Sequence, residues 1–263
     1  GLRNFGPNSA SPIKDLKTRG SANNLFKAIS RSVVLVGTDD GVGTGSVISN
    51  EGEILTNWHV IKGYSSVVII FKPPNFSDIS SSEKYTADVI KVDEGKDLAL
   101  LRLRTIPYNL KPILLGRIAD IEVAMDVHAV GHPKGNFWTY TKGVVSQVTP
   151  KFQWTIGDNI QHTADVILTQ TPINPGNSGG PLVTDEQKLI GINSFVDPEA
   201  QGLNYAVAIT SIEEFLRQVP QYKEGEKIEP NFSDVDGDPV DLDEDGHNES
   251  LARDTDGNGI YDT

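Results

Sequence analysis

A chain of 263 residues with 37% hydrophobic side chains is long enough for one large or two small domains and too apolar to be disordered throughout. Its net charge of −13 sits almost wholly at one end, since residues 224–263 hold 14 Asp/Glu against two Lys/Arg while the remainder is close to neutral. That distribution argues against a nucleic-acid partner, which needs clustered Lys/Arg; the absence of cysteine excludes disulfides and thiolate metal sites; and no apolar run approaches the roughly 18 residues of a membrane helix.

In chain order, residues 1–24 are polar and loop-like, with Pro7, Pro12 and Gly20, and read as an N-terminal arm. No charged-then-apolar leader follows Gly1, so any signal peptide is expected to have been removed or never to have been part of this sequence. Residues 24–29 have the composition of one or two helical turns. From there the pattern becomes short β-branched runs bounded by Gly, Pro, Asn and Asp: 33–36, 46–49, 53–56, 67–71, 85–92, 98–103, 126–130, 141–148, 165–169, 188–193 and 203–209. Many short strands of this kind predict antiparallel sandwiches or barrels. Thr210-Ser211-Ile212-Glu213 has the form of a capping box, and Ile212, Phe215, Leu216 and Val219 follow at helical spacing before Pro220, so a helix is expected over 211–219. Residues 223–233 read as a linker into an acidic segment, 234–263.

The densest chemistry lies in Asn174-Pro175-Gly176-Asn177-Ser178-Gly179-Gly180-Pro181-Leu182. Three glycines and a proline around one serine make a tight turn on the blandest reading. A serine hydroxyl becomes a nucleophile only with a base in hydrogen-bond reach, itself oriented by a third group, and glycines let backbone N–H groups converge on a developing oxyanion. Of the five histidines, His59 lies where a strand, 53–56, runs into a short helical turn. His132 sits in a Gly-His-Pro turn, His162 in a polar loop and His247 in the acidic tail, while His128 alternates within a strand as a satisfied histidine would. Asp97 opens the apolar run 98–103, where a carboxylate can be held half-buried at a strand's edge.

TNWHVI (56–61), DLALLRL (97–103) and PGNSGGPL (175–182), in that order, resemble the trypsin-like serine endopeptidases, and within them the HtrA-like branch. GVGTGSVIS (41–49), AVGHPKG (129–135), KGVVS (142–146), LIGIN (189–193) and GLNYAVAI (202–209) support that branch, so the resemblance covers roughly 30–218. It implies an all-β, chymotrypsin-like fold of two six-stranded antiparallel barrels with the site in the cleft between them. The protease domain is expected over 25–222, with barrels at about 25–120 and 121–210. The resemblance casts Ser178 as nucleophile, His59 as general base and then acid, and Asp97 as the group that fixes the histidine tautomer. It gives the oxyanion hole to the N–H groups of Gly176 and Ser178, and the floor and walls of the primary pocket to Pro172, Ile173, Ile192, Asn193 and Ser194. None of these pocket residues is charged, so cleavage is expected after small or medium apolar residues of a protein or peptide substrate. The branch commonly carries PDZ domains after the protease, and the 43 or so residues beyond the helix are too few and too acidic for one. Oligomers are common in the branch, and the sequence carries no independent signal for one.

In the tail, Asp241, Asp243, Asp245 and Glu249 stand at loop positions one, three, five and nine with Gly246 at six. Asp254, Asp256, Asn258 and Asp262 repeat that pattern thirteen residues later with Gly259 in register. Alternate oxygen ligands around a glycine turn fit a hard cation, and both loops resemble EF-hand-like and thrombospondin type 3-like calcium loops. Neither has the glutamate of position twelve, so calcium in a structural or regulatory role is expected from irregular loops, not helix–loop–helix hands. The bland alternative is a solvated acidic tail. Hard-cation loops of modest quality fill where calcium is millimolar, which points to a secreted, periplasmic or cell-envelope enzyme. A catalytically silent, calcium-dependent binding module on the protease fold is the alternative from another class.

Overall fold

The structure is a computed structural model that describes residues 18–74, 79, 82–133, 136–156, 160–172, 176–196 and 204–218. Helix α1 (Thr18–Ile29) leads into six strands, β1 (Val33–Thr38), β2 (Gly41–Val47), β3 (Glu53–Thr56), β4 (Ser66–Phe71), β5 (Lys84–Asp93) and β6 (Leu98–Leu103). They close into an antiparallel barrel in the order β1-β2-β3-β6-β5-β4. A four-residue helix, α2 (Trp58–Ile61), interrupts the path from β3 to β4. After the crossing segment, which contains the short β7 (Leu114–Leu115), come β8 (Asp126–Gly131), β9 (Thr139–Ile156), β10 (Ile160–Thr169), β11 (Pro181–Thr184), β12 (Lys188–Val196) and β13 (Asn204–Ala208). These six form the second closed barrel, β11-β8-β9-β10-β13-β12, with β7 added parallel to β12 at its rim. Helix α3 (Ile209–Arg217) follows.

Strand periodicity explains the nearly continuous apolar run of β4 in the first barrel. Successive side chains of a strand point to opposite faces. Along β4, Val67 and Ile69 enter the interior cluster with Val34, Val36, Ile54 and Leu101, while Val68 and Ile70 join a larger cluster that reaches the second barrel and α3. Both faces are covered, so Val67 to Ile70 are all apolar and buried. The second barrel has its own interior of Val127, Val145, Ile167, Leu182, Ile190, Ala206 and Ala208.

Three local readings change. Helix α1 begins at Thr18, inside the segment read as an arm; Leu25 and Ile29 bury into the joining cluster and give it a tertiary partner. Helix α3 spans 209–217, not 211–219, and its first residues carry no side-chain cap. The Thr210 hydroxyl donates to Asp165 Oδ2 at 2.7 Å and the Ser211 hydroxyl accepts from the Asp165 amide at 2.8 Å, so both side chains serve the neighbouring hairpin instead. His162, read as a loop residue, lies in β10 and is fully buried.

That strand pairs with β9 in the longest hairpin among the described residues, which extends past 141–148 and 165–169 because Pro150 is tolerated at a bulge. The register shifts between Ala164 and Val166, Lys151 takes φ +49° opposite Asp165, and its amide donates to Asp165 Oδ1 at 3.0 Å. A bulge bends its hairpin. The outer half of this one packs over the turn Glu94–Lys96 of the first barrel, where His162 Nδ1 meets the Glu94 carbonyl at 2.7 Å.

Candidate active site

His59 sits in α2, presented at the end of β3, and Asp97 sits at the mouth of β6 beside it. The Asp97 carboxylate is completely buried, and His59 Nδ1 lies 2.9 Å from both of its oxygens. The His59 amide also donates to Asp97 Oδ1 at 3.0 Å, the Ser194 hydroxyl donates to Oδ2 at 2.6 Å, and Asn57 Nδ2 donates to the Asp97 carbonyl at 2.9 Å. Burial alone would raise the Asp97 pKa, but the His59 charge, its ring hydrogen bond, the Ser194 hydroxyl and the His59 amide outweigh that cost and hold it below the ordinary carboxylate range. The backbone of Asp97 is left-handed, φ 55° and ψ 45°, a conformation Asp adopts more readily than most residues. Its amide is tied at 3.2 Å to the Glu94 carbonyl.

Ser178 reaches the same cleft from the second barrel, on the turn between β10 and β11. Its hydroxyl donates to the Ser194 carbonyl at 3.0 Å. The turn is clamped across the barrel seam: the Thr44 amide donates to the Ser178 carbonyl at 2.9 Å, Thr44 Oγ1 donates to the Gly176 carbonyl at 2.6 Å, and Thr56 Oγ1 donates to the Thr44 carbonyl at 2.8 Å. Gly176 has φ +94°, and a β-carbon there would stand 2.2 Å from the His132 carbonyl oxygen. At Gly179, φ +85°, a β-carbon would stand 2.0 Å from the Thr44 carbonyl oxygen. Both positions therefore require glycine for conformation and for space. Among the described residues, neither the Gly176 nor the Ser178 amide donates a hydrogen bond.

Of the residues expected around the primary pocket, Pro172 is exposed, and its carbonyl accepts from Asn177 Nδ2 at 3.5 Å and from Thr141 Oγ1 at 3.4 Å. Ile192 is fully buried in the joining cluster, and Asn193 is buried with its side-chain Nδ2 donating to the Pro181 carbonyl at 3.4 Å. Ser194 spends its hydroxyl on Asp97, so what it turns to the cleft is backbone. Ile173 lies outside the described residues, as do Asp241, Asp243, Asp245, Glu249, Asp254, Asp256, Asn258 and Asp262. Among the described residues no cluster of three or more His, Cys, Asp or Glu is placed to hold a metal ion.

Sequence reasoning missed Ser194 as a partner of Asp97, along with Asn57 and the Thr44–Thr56 clamp. The signal for Asn57 was its place two residues before His59; Ser194 had none, because 97 positions separate it from Asp97.

A buried carboxylate bridged by histidine, facing a serine across the cleft of two antiparallel barrels, defines the trypsin-like class of two-barrel protein. Comparison with known proteins agrees. Residues 43–192 match the model of the trypsin-like peptidase domain, and the chain belongs to that family, with homologues of the HtrA type. It is 33% identical over 186 residues, 69% of its length, to Protease Do-like 1, chloroplastic, of Arabidopsis thaliana, covering 40% of that protein. It is 35% identical over 184 residues, 67% of its length, to Serine protease PepD of Mycobacterium tuberculosis, covering 39% of that one. The chain thus spans about two fifths or less of the length of the first curated relatives it matches. Among solved structures it matches Deg5 with a TM-score of 0.62 at 28% identity, over 75% of this chain and 93% of that one. It also matches the HtrA-type protease AlgW with a tripeptide, TM-score 0.61 at 29% identity, over 73% of this chain and 61% of the other.

Proposed function

We propose that the chain is a serine endopeptidase that hydrolyses peptide bonds of protein or peptide substrates through His59, Asp97 and Ser178. The observation that carries this is the approach of His59 Nδ1 to both oxygens of a fully buried Asp97, 2.9 Å from each. That contact leaves the Nδ1 proton on the Asp97 side and makes Nε2 the basic nitrogen of the ring. In the first step the Ser178 hydroxyl proton, which here points to the Ser194 carbonyl, passes to His59 Nε2 as Oγ attacks the substrate carbonyl carbon. The oxyanion so formed takes the Gly176 and Ser178 N–H groups, and charge stabilisation of this kind is worth about 3 kcal/mol per donor. His59, now imidazolium against ionised Asp97, gives its proton to the leaving amine; water then enters by the same steps in reverse order and frees the acid.

Pro172, Ile173 and Ser194 are uncharged, as are Ile192 and Asn193, which this structure buries, so the residue before the cut is read as small or medium and apolar. The test is digestion of an unfolded protein, with fragments read by mass spectrometry. Wild type is expected to cut, mainly after such residues, and Ser178→Ala is expected to lose at least a thousandfold in rate. Equal rates in the two would sink the assignment.

The acidic segment is read as a calcium binder. Its donor set, seven carboxylates and the amide of Asn258, is all hard oxygen and suits Ca²⁺. Bound calcium would neutralise the mutual repulsion of those carboxylates, and the chemistry of peptide cleavage belongs to the serine site alone. This reading places the enzyme outside the cytosol, as a secreted, periplasmic or cell-envelope protein; among the described residues no helix is long and apolar enough to cross a membrane.

A further inference from the structure

Among the described residues, His162 is the one buried histidine that reaches from the second barrel to the segment presenting Asp97. It belongs to β10, and its ring is fully enclosed. One face stacks on Trp154 at 5.2 Å between centroids, and Trp58, the neighbour of His59, lies at 6.2 Å. Its Nδ1 is 2.7 Å from the Glu94 carbonyl oxygen, so Nδ1 carries the hydrogen and donates. That same carbonyl accepts the Asp97 amide at 3.2 Å, the bond that closes the left-handed turn on which Asp97 stands.

Resting on the peptidase reading above, we propose that His162 is a positioning residue for the triad: its Nδ1–H holds the Glu94 carbonyl, fixes the turn that aims the Asp97 carboxylate, and with Trp58 and Trp154 locks that turn to the helix bearing His59. The argument is one of chemistry as well as place. Nε2 of His162 is buried and finds no hydrogen-bond partner among the described residues. An apolar ring would fill the tryptophan slot without that cost. What histidine supplies there, and phenylalanine would not, is the single donor to Glu94. The bond spans 68 residues and comes from the far end of a hairpin bent at a bulge, so it couples the outer half of the β9–β10 hairpin to the catalytic base.

The test compares two substitutions with wild type, after Ser178→Ala has shown that the peptidase activity is real. His162→Phe keeps the stack and removes the donor; His162→Asn keeps a donor at the position of Nδ1 and gives up the stack. His162→Phe is expected to lower kcat about tenfold with KM within twofold. It is also expected to move the acid limb of kcat/KM to lower pH, because a His59 imidazolium with a misaimed Asp97 loses its proton more readily. His162→Asn is expected to hold kcat within about threefold of wild type. Wild-type kcat and an unmoved acid limb in His162→Phe overturn the proposal, as does an equal loss in both variants, which would mean packing alone. Should His162→Phe not fold, nitrogen NMR of the wild-type ring decides: the Nδ1–H tautomer is expected, and the Nε2–H tautomer overturns the proposal. Absence of activity in wild type would count against the peptidase reading, not against this one.

Discussion

His132 lies where the hairpin from β8 to β9 tucks beneath the first barrel, fully buried, with Trp138 edge-on to its ring at 4.7 Å and Phe137 at 6.0 Å. Its Nδ1 accepts from the Trp138 amide at 3.1 Å, and Trp138 Nε1 donates to the Val33 carbonyl at 2.9 Å, so the ring plugs the seam between the barrels. Burial, opposed only by a backbone contact with Val34, pushes its pKa down from 6.5 to about 3. Above pH 6.5 the ring is neutral folded and unfolded and adds no pH dependence. Between pH 6.5 and about 3 only the unfolded chain takes up the proton, so stability falls as pH falls, by about 1.4 kcal/mol per pH unit. Denaturant unfolding at pH 7 and pH 5.5 is expected to show this in wild type. In His132→Asn the loss over that interval is expected to be smaller by about 1.4 kcal/mol; parallel behaviour of the two proteins would show that the ring charges freely in the fold. The sequence places His132 in a turn, which is where it is; that the turn is buried depends on Val33 and Trp138, 105 residues apart.

The last element, α3, shows how packing overrides local signals. Ile212 and Phe215 are fully buried, and Lys91 from β5 reaches under the helix, its Nζ donating to the carbonyls of Phe215 and Gln218 and lying 4.7 Å from the Phe215 ring. A cation at a helix C-terminus satisfies carbonyls the helix cannot use and meets the negative end of its dipole. At the other end, Asp165 takes the Thr210 and Ser211 hydroxyls away from capping. Phe215→Ala is expected to cost about 3–5 kcal/mol by leaving a cavity at the joining cluster, read from urea unfolding; a cost under 1 kcal/mol would mean α3 is not part of the cooperative core. The apolar spacing of Ile212 and Phe215 was enough to predict a helix here. Its start was not, because the competitor for Thr210 and Ser211 comes from a strand some 45 residues away.

Over the whole molecule, charge divides the chain into a nearly neutral body and a tail that is strongly negative. If the tail holds calcium and matters to the enzyme, a chelator is expected to lower the melting temperature or change turnover of the full chain. A version ending at Gln221 is expected to be indifferent to the chelator. Equal chelator sensitivity in that shortened version would place any calcium effect elsewhere in the protein, and indifference of the full chain would reject a role for calcium.

Strand periodicity, from sequence alone, predicted short antiparallel strands, and the order of the motifs around His59, Asp97 and Ser178 carried the resemblance that implied two barrels; each motif is local, so it is legible without the fold. A strand was legible where both its faces are apolar, as in the continuous run of β4, and illegible in the outer half of β9, where Pro150 hides a strand that continues through a bulge. What only the tertiary structure decided is how those residues are held: Ser194 on Asp97, Thr44 on Gly176, His162 on Glu94, Asp165 on Thr210. Each of these bonds joins residues 45 to 132 positions apart, and each is worth its energy only when the groups are buried together. A one-dimensional pattern records which face a side chain occupies; it does not record what lies across from it.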